Sequence, residues 1–173
     1  ALARQPTLIQ ACGTGLLFGA GDLIAQNIVE KDNDKYDFKR TVRMVAFGTI
    51  IAGPAIANWY RFLDKFVTIK NPNKALLARV AIDQAFFAPC FIAVFFGAQG
   101  VMEGKSRQAI MQKLKTAYPN ALINNYRIWP AVQLINFRFV PLQHRLMVVN
   151  VVALGWNTYL SIENRQSSKI VDN

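Results

Sequence analysis

At 173 residues the chain suits a single domain, and no shift in composition or Ser/Gly/Pro-rich linker divides it. Hydrophobic residues at 53% are near the ordinary level, but charged residues are only 17%, against about 25% in typical soluble proteins. The net charge of +10 falls in the loops, with no basic helix face and no nucleic-acid motif, which argues against direct nucleic-acid binding and for attraction of anionic lipid head groups or anionic metabolites.

Four stretches, 5–21, 44–60, 84–102 and 146–162, run 17 to 19 residues without a charge. A helix rises ~1.5 Å per residue, so each approaches the length that crosses a bilayer core of ~30 Å. The expected fold is all-α: a polytopic transmembrane helix bundle forming one integral membrane domain over 1–173. It has four to five membrane helices with proline kinks, plus a short basic amphipathic interfacial helix.

The first helix is expected over 6–29, opened by Pro6 in its first turn. Ala11, Gly15 and Gly19 recur every four residues and form a small-residue packing face. A dinucleotide-binding glycine loop is excluded, because the spacing needs glycine at 18, where Phe18 stands, and no strand precedes it. After a loop of mixed charge, the second helix is expected over 41–66. Pro54 should kink it, and Trp59 and Tyr60 suit an interfacial aromatic belt. Asn71-Pro72-Asn73 marks a turn into a third helix over 74–102, kinked at Pro89.

The segment 105–117 is basic and amphipathic, with Ile110, Leu114 and Ala117 on one face and Lys105, Lys113 and Lys115 mostly elsewhere. It reads as an interfacial helix or as the polar end of the next one. A helix over 119–138 follows. Its uncharged centre, 128–137, holds Pro130 and either spans or re-enters. Pro141 breaks the chain before a final helix over 141–163, and the tail is polar. No signal-peptide pattern is visible, and a short missing leader stays open because the chain begins without Met. Loop charges give no orientation.

A charge at the bilayer centre costs at least ~2.5–3.5 kcal/mol on insertion scales, so buried acids must face the bundle interior or water. Asp22 precedes Gln26 by four residues, and Asp83 follows Arg79 by four, with Gln84 adjacent. Arg61 and Asp64 are three apart, as are Gln133 and Asn136. Two readings stay open. Asp22, Gln26, Asp83, Gln84, Gln133 and Asn136 are candidates for a hydrated pathway or its gate. Alternatively such groups fix the packing, with Arg79/Asp83 and Arg61/Asp64 as candidate structural ion pairs. Cys12 and Cys90 read as small buried hydrophobes, their redox role left open. The lone His144, read as interfacial, cannot build a metal site with two distant cysteines, and hydrolase and metalloprotease motifs are absent. No catalytic residue, metal or cofactor is expected, and no enzyme.

A longer pattern adds to this. Gly21-Asp22 with Gln26; Arg40, Arg43, Gly48, Gly53-Pro54, Trp59-Tyr60 and Leu63-Asp64; and Asp83-Gln84 with Pro89 are spaced along the first half. Trp129-Pro130, Gln133, Asn136-Phe137, Val140-Pro141, Arg145, Trp156 and Tyr159-Leu160-Ser161 continue it. With these residues the chain resembles the Mpv-seventeen family, also called the family of the twenty-two-kilodalton peroxisomal membrane protein. Ala88-Pro89-Cys90-Phe91 and 129–134 look closest to its mitochondrial inner-membrane branch. Ala57 departs from the histidine that many members carry, chiefly outside that branch.

The resemblance implies a multi-pass protein of the mitochondrial inner membrane, with the peroxisomal membrane as the alternative. It also implies a role in mitochondrial DNA maintenance, nucleotide supply and stress tolerance. The expected function is a channel or carrier for small metabolites; the alternative is a non-transporting structural protein that organises lipid or a membrane complex. Expected partners are anionic lipid such as cardiolipin, a small metabolite or ion, and a homo-oligomer or membrane complex, with no direct nucleic-acid contact.

Overall fold

The computed structural model describes residues 6–30, 35–140 and 142–172. All secondary structure among them is helical, in five helices. Helix α1 covers Pro6–Ile24 and continues as π-helical turns over Ala25–Val29. Helices α2 and α3 run unbroken over Phe38–Phe66 and Pro72–Met102. Helix α4 covers Arg107–Phe139 and α5 covers Leu142–Asp172. Pro141 and the side chains of His144 and Arg145 lie outside the described residues.

The helix starts follow from local chemistry. Asp37 caps α2 by accepting from the Arg40 amide, so α2 begins at residue 38 rather than 41. The Asn71 side chain accepts from the amides of Asn73 and Lys74, with Pro72 in the first turn of α3. Ser106 caps α4 at the Ala109 amide. Helix α3 ends on Gly104 at φ 70°, with Lys105 N–H bonded to the Gly100 carbonyl and Gly104 N–H to that of Val101. This left-handed glycine stop turns the chain back, so that α4 packs against α3.

Prolines 54 and 89 act through helix register. A proline ring clashes with the carbonyl four residues earlier. Those carbonyls, of Ile50 and Ala85, lie in the π-helical segments Phe47–Ala52 and Asp83–Phe87. Gly53 and Ala88, just before the prolines, bond five residues back, to Gly48 and Asp83. The expected kink sites are thus widened turns. Pro119 and Pro130 both lie inside α4, whose helix continues through them. Of the two readings of 105–117, the polar end of the next helix holds: residues 107–117 are the first part of α4, capped by Ser106, and not a separate interfacial helix. The polar tail after 163 is also helix, because α5 runs on to Asp172.

The small face of α1 meets a matching one on α2. A Cβ on Gly19 would come within 2.6 Å of a Val45 methyl, and one on Gly48 within 2.7 Å of the Gly15 Cα. Gly53 faces Ala11 in the same way. Close backbone approach of this kind replaces the hydrophobic drive that lipid removes. The other side of α1 packs on α5, where Gly21 faces Asn157 and Thr158. A central core joins Phe18, Met44, Phe47, Phe95, Phe96 and Trp156, with Phe47 and Phe95 in edge contact at 5.2 Å.

The outside is apolar as well: Leu16, Ile50 and Phe139 are 70%, 72% and 75% exposed. A lipid-facing bundle needs that surface. Cys12 and Cys90 are exposed free thiols, not buried ones as the sequence suggests, because apolar residues here line the outside as well as the core. Helices α1, α2 and α3 contain stretches long and apolar enough to cross a membrane. Helices α4 and α5 are as long, at 33 and 31 residues, but more polar.

Candidate functional site

Polar groups gather near the two ends of the bundle. At one end α1, α3 and α5 finish while α2 and α4 begin. Asp22 is wholly buried there. Arg40 Nε lies 2.8 Å from Asp22 Oδ1. The Thr41 hydroxyl donates to Asp22 Oδ2 at 2.5 Å and the Gln26 amide at 2.8 Å, while the Ser161 hydroxyl donates to Oδ1. Arg40 also places Nη1 2.6 Å from Glu30 Oε2 and Nη2 3.1 Å from the Ser161 carbonyl oxygen. Arg165 reaches the same Glu30 oxygen at 3.2 Å. The buried charge is thus enclosed by α1, α2 and α5, each supplying a partner.

A second buried pair stands beside it. Lys113, 1% exposed, sits 3.0 Å from Glu103 Oε2. Asn164 donates to Glu103 Oε1 and Ser168 to Oε2, each at 2.8 Å. Burial works against the Glu103 charge. The Lys113 ammonium and the hydrogen bonds from Lys113, Asn164 and Ser168 outweigh it and hold the carboxyl below the ordinary glutamate value. Lys113 is not on the polar side as expected. It shares the inward face of Ile110, Leu114 and Ala117, at positions three and four residues apart.

Between these pairs lies a cavity of about 440 Å³. Lys35, Arg40, Arg43, Lys105, Arg165 and Lys169 line it, with two acids, Asp37 and Glu103. Arg43 approaches Asp37 only to 3.9 Å, and its buried Nε has no hydrogen-bond partner.

Trp59 and Arg40 lie 19 residues apart on α2, roughly 28 Å at helical rise. Toward that other end the Trp59 indole donates to Asp83 Oδ1 at 2.8 Å, and Gln84 donates to Oδ2 at 3.0 Å. Asn125 of α4 donates to Gln84 at 2.7 Å. Arg79 does not pair with Asp83: it bridges to Asp64 at 2.8 Å, while Arg61 donates to Asn58 at 3.3 Å. The expected Arg79/Asp83 and Arg61/Asp64 arrangement is replaced by a contact from α3 to the end of α2, because the helix hairpin brings Asp64 to Arg79 while Asp83 turns toward Trp59.

The structure therefore brings Asp22 to Gln26, and Asp83 to Gln84, but sets the two pairs near opposite ends with the aromatic core between. Gln133 is half-buried and Asn136 buried, both on α4 more than two turns beyond Asn125. Sequence reasoning missed Glu30, Thr41, Glu103, Ser161, Asn164 and Ser168 as site residues. Its signal was present on α5: residues 161, 164, 165 and 168 are polar at helical spacing.

Fold and site define a multi-pass helical membrane protein whose buried chemistry is electrostatic. Residues 100–161 match the Mpv17 / PMP22 family. The chain is 47% identical over 167 residues to "Protein sym-1" of Neurospora crassa, covering 95% of each chain. It is 43% identical to "Mitochondrial inner membrane protein Mpv17" of Mus musculus, covering 96% of this chain and 94% of that one. The Danio rerio protein of that name is 41% identical, with 92% and 90% covered. No solved structure matches. The chain belongs to the Mpv17 / PMP22 family and is a protein of the mitochondrial inner membrane.

Proposed function

We propose that this protein is a gated channel or carrier for small anionic metabolites, supporting nucleotide supply, mitochondrial DNA maintenance and stress tolerance as its family resemblance implies. The observation that carries the reading is the cavity of about 440 Å³ with six basic residues in its lining, directly beside the buried Asp22–Arg40 pair. A cationic mouth concentrates anions. Asp22 and Gln26 form the lock beneath it, and Asp83, Gln84, Gln133 and Asn136 belong to the route at the opposite end. The lock must exchange partners for solute to pass, since the core between the ends is filled by aromatic rings. Anionic lipid and further copies of the chain are the partners this reading takes.

That filled core is also what favours the second reading, a structural protein that organises lipid or a membrane complex. Flux of small anions into liposomes holding the purified protein separates the two.

A further inference from the structure

We infer that the outer face of the first turns of α4 is a binding site for the head group of an anionic phospholipid. This goes beyond the reading of the basic cavity, with which the face shares no lining residue, and it does not depend on transport. Helical spacing is the first observation. Arg107, Met111 and Lys115 recur every four residues, with Gln108 and Gln112 beside them, so all five share one side of α4. Ile110, Lys113, Leu114 and Ala117 lie on the other, inward side. The five outer residues are exposed and line a cavity of about 670 Å³. That lining holds two cations, two side-chain amides and no carboxylate. Neither Arg107 nor Lys115 pairs with a carboxylate among the described residues.

Depth is the second. A Cβ on Gly100 would come within 2.7 Å of Ile110, so Ile110 lies level with the last turn of the apolar helix Pro72–Met102. Lys115 is five residues further along α4, which runs back beside α3, and so stands roughly 7.5 Å deeper at helical rise. A charge facing acyl chains at that level is costly, and a lysine there extends its stem to reach the head groups. Helix side chains lean toward the helix N-terminus, which directs Lys115 back toward Met111, Gln112 and the level of Arg107. Arg107 presents paired donors that match phosphate oxygens. Beyond Lys115, Pro119, Ile123 and Tyr126 continue the same face and are exposed, a mostly apolar strip for an acyl chain to follow. Cations above such a strip match an amphiphile rather than a soluble anion. A second copy packed here about a two-fold axis would set these cations against their like, which argues against it as the occupant.

The test is native mass spectrometry of the full chain in detergent, titrated with phosphatidylglycerol or phosphatidylcholine, with circular dichroism as the fold control. Expected is saturable binding that favours phosphatidylglycerol, and that weakens about tenfold in Arg107→Gln/Lys115→Gln. Should that variant not fold, Met111→Glu gives the same readout, since it sets a carboxylate four residues from each cation on the exposed face. Lys70→Gln/Lys74→Gln, at the hairpin between α2 and α3, should bind like the wild type. Equal binding of the two lipids, or a preference that the folded variants keep, overturns the inference. Glycerol phosphate bound as tightly as the lipid would assign the face to a soluble anion, and a dimer that the variants dissolve would assign it to a second copy; either result also overturns it. Flux is independent of this outcome: anion flux without the lipid preference would leave the transport reading standing and remove only the site.

Discussion

The Asp22–Arg40 pair is the residue-scale centre of the molecule. A buried ion pair repays its desolvation only when remaining donors and acceptors are met, and here Thr41, Gln26, Ser161 and Glu30 meet them. Removing one partner leaves an uncompensated charge, so Arg40→Gln should destabilise the protein by about 3–5 kcal/mol. Asp22→Asn combined with it should cost less than the two singles added. Denaturant unfolding in detergent, followed as a double-mutant cycle, measures both. Glu103 gives a pH signature. Its folded value lies below the ordinary one, so its contribution is fully present above the unfolded glutamate value and is lost as pH falls through the folded value. Thermal unfolding should therefore shift to lower temperature on acidification below about pH 4. In Glu103→Gln that part of the pH dependence should be flattened.

At the scale of elements, the π-helical turns and glycine faces decide how the helices fit. Gly15 and Gly48 let α1 and α2 touch along their backbones. Gly15→Val should cost about 1–3 kcal/mol by overpacking. Gly13→Ala, where an added Cβ meets nothing within 4 Å, should gain about 0.5–1 kcal/mol from helix propensity. Thermal melts of the two variants in the same detergent check the contrast. The small-residue face of α1 was legible because spacing of four residues survives any packing partner. The extent of α5 was not, since its later turns bury polar side chains, Asn164 and Ser167, against the other helices, where the sequence shows only a polar tail. Arg79 was misread for a related reason: a partner four residues away on the same helix is visible in sequence, and Asp64 across a hairpin is not. Lys113 could have been found, because it keeps helical spacing with Ile110, Leu114 and Ala117.

For the whole molecule, the charge-free runs announced a membrane bundle, but the continuity of α4 through two prolines was hidden. The molecule is asymmetric between its ends: a basic cavity beside a buried ion pair at one, and the Trp59–Asp83–Gln84–Asn125 cluster toward the other; in the proposed function this asymmetry is what the transport route uses. The central claim is that the basic end admits anions. It is tested most directly by ion flux and reversal potential in liposomes, with wild type beside Lys35→Glu/Lys169→Glu, two exposed cavity positions whose change should leave the fold intact. The account predicts anion-selective flux above empty liposomes, with selectivity reduced at least severalfold in the variant and matching circular dichroism. Folded protein that conducts nothing, or conducts with the same selectivity after both charges are reversed, would contradict it.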